Sequence, residues 1–122
     1  MVMERKWALK KRACFLRVYE LGIAKADKYL VVKSALNDLE YSRYGFSITK
    51  HIGNAVVRNR IRRKLREIMR AVQIKSGYDI VLIARPEIVN ADYRQLTRSV
   101  TKLLDRVDLL LYKDEEVSTR TH

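Results

Sequence analysis

The sequence predicts an α+β fold in which helices cover a small sheet, and three stretches carry that prediction. Residues 43–50 alternate: Tyr44, Phe46 and Ile48 share one face, while Arg43, Gly45, Ser47 and Thr49 share the other. That is the period of a half-buried strand. Across residues 55–73, Val57, Ile61, Leu65, Ile68 and Val72 step by four, four, three and four, the apolar stripe of a core-facing helix. Residues 78–84, YDIVLIA, are apolar enough to lie inside a sheet.

The remaining elements fill in around these three. A basic arm, residues 1–10, leads into a helix over 12–21, where Cys14, Phe15, Val18, Tyr19 and Leu21 form the buried side and Gly22 is the stop. Residues 28–34 contain Tyr29-Leu30-Val31-Val32, a strand-like run, and Asn37-Asp38 marks a turn. Asn54 is placed to cap the long helix, and Ser76-Gly77 closes it. Arg85-Pro86 ends the apolar strand, because proline has no N–H for a ladder. A last helix over 91–107 buries Tyr93, Leu96, Val100, Leu103, Leu104 and Val107, with Asn90 as its cap. The polar tail, 113–122, is expected to fray. The order is helix, two or three strands, helix, strand, helix, all in one domain spanning 1–122.

Composition narrows the function. Lys and Arg number 26 against 14 Asp and Glu, a formal net charge of +12 and a pI near 10.1. A small domain this basic repels itself, so the charge answers to a polyanion, nucleic acid first. A basic surface kept for solubility is the plainer alternative, but acidic residues serve solubility better. Cys14 is the one cysteine, so no intrachain disulfide forms, in keeping with a reducing compartment. With no signal-like start and no run of 18 apolar residues, the expectation is a soluble cytoplasmic protein without a membrane partner.

The basic excess concentrates in one segment, KHIGNAVVRNRIRRKLREIMR, residues 50–70. Arg58, Arg62 and Arg66 stack at four-residue spacing, Arg60 and Lys64 form a second row, and Arg63 and Arg70 lie seven apart on a third. Glu67 is the lone acid of the helix. Like charges four apart cost an isolated helix about 0.2–0.5 kcal/mol per pair, a cost that phosphates would offset. A basic helix also suits an anionic membrane, but this apolar stripe is aliphatic and flanked by strands that need cover. A DNA recognition helix would want a short helix immediately upstream, where a strand stands instead. Protein-only nuclease chemistry wants clustered carboxylates for two metals. Asp79, Asp92, Asp105 and Asp108 look instead like solvated surface charges, and neither His51 nor His122 has metal-ligand spacing with Cys14.

These residues match a family. Ile52-Gly53-Asn54-Ala55-Val56, then Arg58-Asn59-Arg60, Arg62-Arg63 and Arg66-Glu67 resemble the signature of the bacterial ribonuclease P protein component, whose hallmark is an RNR helix. Leu9-Lys10-Lys11, the stretch from Phe15 to Tyr19, Ser47-Ile48-Thr49-Lys50 and YDIVLIARP follow the same order, so the resemblance covers roughly residues 5–112.

The resemblance implies a single-domain α/β sandwich with about four strands, three helices and an unusual left-handed βαβ crossover around the RNR helix. It implies a subunit of an endoribonuclease whose RNA is the catalyst and uses magnesium, one protein per RNA, with no catalytic residue in the protein. The substrate so implied is precursor tRNA, from which the 5′ leader is removed. By the same resemblance Arg58, Asn59, Arg60, Arg62, Arg63 and Arg66 face the catalytic RNA, where a guanidinium fork grips phosphate in two places. Phe15, Tyr19, Lys50 and His51 match the leader cleft, a setting for base stacking with cations alongside. Lys10, Lys11 and Arg12 form the basic arm. Phe15 is expected to be partly core, with the Tyr19 hydroxyl edge open to the cleft. His51 stands where many relatives carry lysine, and Tyr19 where phenylalanine is common. The competing reading is a structural RNA-binding protein such as a ribosomal protein, which gains if Phe15 and Tyr19 are wholly buried.

Overall fold

The computed structural model describes residues 7–111; the tail expected over 113–122 and the first six residues of the arm lie outside them. Helix α1 is Arg12–Leu21, followed by strands β1 (Ile23–Ala26), β2 (Leu30–Leu36) and β3 (Arg43–Ser47). Helix α2 (Ala55–Ala71), strand β4 (Tyr78–Ala84) and helix α3 (Tyr93–Arg106) complete the order. The sheet runs β1-β2-β4-β3, with β1, β2 and β4 antiparallel and β3 parallel to β4. Parallel neighbours need a crossover, and α2 supplies it. The expected α+β architecture of three helices on a four-stranded mixed sheet is what forms.

Period-two alternation divides β2 and β4 between two cores. Leu30, Val32, Ile80 and Leu82 face α2 and α3, where they pack with Ile61, Leu65, Ile68, Leu96, Val100, Leu103 and Leu104. On the opposite face Val81 packs with Val18 of α1 and with Leu9, joined by Cys14, Phe15, Tyr19, Ala35 and Ile83. The continuous apolar run of β4 is explained by this double cover.

Helix ends follow local chemistry. The Asn54 side chain accepts from the Val57 N–H at 3.0 Å, as expected of the cap. Asn54→Ala should therefore cost about 1 kcal/mol, read as a lowered denaturation midpoint; an unchanged midpoint would show the cap to be idle. At α3 the cap is Asp92, not Asn90. The Asp92 carboxylate accepts from Gln95 N–H while the Gln95 side chain accepts from Asp92 N–H, a reciprocal capping box. Asn90 ends a 3₁₀ turn, Pro86–Asn90, and its amide reaches Glu87.

Three further expectations, for Tyr93, Leu21 and Asp79, are corrected; Tyr93 is 45% exposed in the first turn of α3 rather than buried. Leu21 is 66% exposed at the end of α1, next to the edge strand β1, whose four residues are all exposed. The arm is anchored at its end: Leu9 N–H donates to the Tyr44 carbonyl, Tyr44 N–H donates to the Trp7 carbonyl, and Ala8 bridges Tyr44 in parallel. Asp79 is not a solvated charge. It is 1% exposed, gripped by Arg43 Nε at 2.8 Å and Nη2 at 2.7 Å, and it accepts from the Asn37 amide at 2.9 Å. Hydrogen bonding to Asp79 raises the Arg43 pKa above its ordinary value, against the opposing effect of burial. Arg43 stands opposite Asp79 in the β3–β4 register, so the pair ties the two parallel strands together.

Candidate nucleic-acid interface

The sequence places α2's cations on one helix, and the fold decides where each one points. Arg60, Arg63 and Arg66 are exposed, while Arg58 and Arg62 are half-buried. Arg58 Nε donates to the Gly53 carbonyl at 3.1 Å, bracing the loop that enters the helix. Arg62 Nη1 donates to Asn59 Oδ1 at 2.7 Å, so Asn59 holds one arginine of the row in place. Gly53 has φ 158°, and a Cβ there would lie 3.0 Å from the Val57 side chain, so a small residue suits this close approach.

Arg62, Arg66 and Arg70 line one cleft of ≈ 590 Å³ with Trp7, Leu9, Phe15, Tyr44, Gly45 and Phe46. Four-residue spacing carries Arg70 onto the same row as Arg58, Arg62 and Arg66, a placement that the seven-residue pairing with Arg63 obscures. Trp7, Tyr44 and Phe46 carry no site signal in the sequence; Tyr44 and Phe46 read as buried strand positions. They are half-buried instead, with ring centroids 5.9 Å apart, because β3 is the sheet's edge.

Phe15, at the rim of that cleft, packs with the core on the sheet's other face and meets Tyr19 edge to face at 6.5 Å, both half-buried. The close approach of Phe15 depends on Gly45, where a Cβ would stand 2.6 Å from the ring. The Tyr19 hydroxyl makes no hydrogen bond within the described residues. Sequence reasoning misses Lys33, whose ammonium lies 5.4 Å from the Tyr19 ring centroid and donates to the Tyr19 carbonyl at 3.2 Å. A signal for it exists, since Lys33 lies between apolar strand residues on the face opposite Val32. Lys50 and His51 are exposed on a 3₁₀ turn beyond the end of β3. Lys10, Lys11 and Arg12 are exposed at the start of α1, where the Lys11 carbonyl accepts from Cys14 and Phe15.

The sequence and the fold are both shared with known proteins. The family model for ribonuclease P matches residues 3–108. The chain belongs to the ribonuclease P protein family. The ribonuclease P protein component of Clostridioides difficile is 40% identical over 112 residues, covering 89% of this chain and 98% of that protein. That of Caldanaerobacter subterraneus is 39% identical, covering 93% and 97%. Among solved structures, a Staphylococcus aureus ribonuclease P protein mutant with defective mRNA degradation activity superposes with a TM-score of 0.84 at 32% identity, over 89% of this chain and 94% of that one. The Thermotoga maritima ribonuclease P protein gives 0.74 at 31% identity, over 81% and 96%. Family membership makes this a bacterial-type protein of tRNA processing that works within a ribonucleoprotein. No helix of the described residues is long and apolar enough to cross a membrane.

Proposed function

We propose that the chain is the protein subunit of a cytoplasmic ribonuclease P, one copy per RNA, in which the RNA cleaves precursor tRNA and the protein holds both RNAs. The observation that carries this reading is the arginine row of α2 standing beside the aromatic pair of α1, with Phe15 at the rim of the cleft that Arg62 and Arg66 line. Arg58, Asn59, Arg60, Arg62, Arg63 and Arg66 seat the catalytic RNA, with Arg62 oriented by Asn59. Planar guanidinium groups on a rigid helix grip phosphate oxygens in pairs at little entropic cost. Phe15 and Tyr19, with Lys33 beside them, receive the 5′ leader. A single strand offers every base as a stacking face, worth about 1–3 kcal/mol each. Lys50 and His51, with Lys10, Lys11 and Arg12, extend the positive field along the strand's path.

Magnesium in this reading belongs to the RNA. Among the described residues no cluster of three or more His, Cys, Asp or Glu could hold a metal ion, and three carboxylates are already taken: Asp79 by Arg43 and Asn37, Asp27 by Tyr29 N–H, Leu30 N–H and the Ser99 hydroxyl, and Asp92 by its capping box. No step of the reaction is therefore assigned to a protein-held metal.

The deciding experiment is cleavage of a precursor tRNA by a bacterial ribonuclease P RNA at low magnesium, with and without the protein. The protein is expected to restore cleavage at the mature 5′ end, and failure to do so would overturn the reading. Arg62→Ala should weaken binding of the catalytic RNA and reduce the magnitude of the salt slope by about one. An unchanged slope would show that Arg62 neutralises no phosphate.

A further inference from the structure

Helix α3 carries a second row of cations that the proposed function does not use. Arg94, Arg98, Lys102 and Arg106 recur at four-residue spacing, and all four are exposed. At 1.5 Å rise per residue they stand about 6 Å apart and span about 18 Å. None of the four makes an ion pair within the described residues. The row is held rigidly, because Leu96, Val100, Leu103 and Leu104 on the opposite side of the helix are at most 1% exposed and the Asp92–Gln95 box fixes its start.

The ladder borders a built groove. Arg98 and Lys102 line a cleft of ≈ 490 Å³ with Gln95, Ser99 and the β1–β2 loop, Asp27, Lys28 and Tyr29. The one carboxylate there is already satisfied: Asp27 Oδ1 accepts from Tyr29 and Leu30 N–H, and Oδ2 accepts from the Ser99 hydroxyl. Lys28 adds a further cation 5.2 Å from the Tyr29 ring centroid. The groove therefore presents positive charge along a line.

We propose that the α3 ladder, with Lys28, is a second phosphate-backbone contact for the same catalytic RNA that α2 is proposed to seat. The inference rests on that reading of α2. An extended row of unpaired cations matches a polymer of phosphates better than a small anion. A membrane does not fit, since interfacial helices need an exposed apolar side, and apart from Tyr93 in the first turn the large apolar residues of α3 are buried. The catalytic RNA is chosen over the precursor because α2 and α3 pack on one face of the sheet, while Phe15 and Tyr19 lie on the other. A large folded RNA resting on α2 can reach across that helical layer to α3, whereas a leader on the α1 face is separated from it by the sheet.

The test compares salt-dependent binding of the full-length protein and two variants to a ribonuclease P RNA. One variant is R94Q/R98Q/K102Q on α3; the other is R62Q/R66Q on α2. The α3 residues are exposed, so circular dichroism should be unchanged; should the triple variant misfold, Arg98→Gln alone replaces it. Every phosphate that a variant no longer neutralises reduces the slope of log K against log salt by about 0.7–0.9. The triple variant should flatten the slope by about 2.1–2.7, and the single variant by about 0.7–0.9. A slope lowered by R62Q/R66Q but untouched by the α3 variants would overturn the ladder and leave the reading of α2 standing. Slopes unchanged in both would overturn the two together. A change confined to precursor tRNA binding by the assembled holoenzyme would overturn the chosen partner.

Discussion

Asp79→Ala should destabilise the protein by about 3 kcal/mol, at the low end of what breaking a buried ion pair costs. The low end is chosen because the Arg43 side chain retains 23% exposure, so water can partly recover it. The loss has two parts. Arg43 is left as a half-buried cation without its two-point acceptor, and the Asn37 amide loses the carboxylate it donates to. Both belong to one knot joining β3, β4 and the turn after β2, where Arg43 Nη2 also reaches the Cys14 sulfur at 3.6 Å. For a domain of this size the loss corresponds to a fall of roughly 10–15 °C in Tm, measured by thermal unfolding. Replacing both partners with apolar residues, R43M/D79L, should recover part of the loss, because no charge is then stranded. An unchanged Tm for Asp79→Ala would show that solvent already screens the pair.

Gly45→Val should cost about 1–3 kcal/mol through overpacking, and its effect is directional. A Cβ at this position would stand 2.6 Å from Phe15 Cζ and 2.9 Å from the Leu9 carbonyl. The Phe15 ring can swing aside, but a backbone carbonyl cannot, so the Trp7–Leu9 segment should peel from β3. Hydrogen exchange at the Leu9 and Tyr44 amides, which make the two bonds of that bridge, should accelerate more than exchange in β4. Displacing Phe15 from the proposed leader surface should also reduce discrimination between precursor and mature tRNA. Equal acceleration throughout the sheet would mean that the damage is global rather than local.

Much of this fold is legible in the sequence because its signals are local. The stripe from Val57 to Val72 and the run YDIVLIA set helix α2 and strand β4 by periodicity alone, and the latter matches to the residue. The cation row on α2 needs only helical geometry. What escapes is chiefly non-local. Asp79 reads as one more charge until β3 is laid parallel to β4 and Arg43 falls opposite it. Tyr44 and Phe46 read as core until β3 becomes an edge strand, and Lys33 reads as a surface lysine until α1 brings Tyr19 over it. Asp92 is a local miss: it stands two residues after Asn90, and Gln95 three residues on is the deciding mark.

The sequence by itself determined the charge, the element order, the cores facing α2 and the family, since each depends on composition or on the spacing of neighbours along the chain. Only the tertiary structure decided which polar residues are partners and which surfaces exist. The Arg43–Asp79 pair joins residues 36 positions apart, and the α2 cleft and the α3 groove are each assembled from segments distant in sequence. Such contacts depend on strand order and register, which are set by how all the apolar faces are buried at once and not by any one segment's pattern.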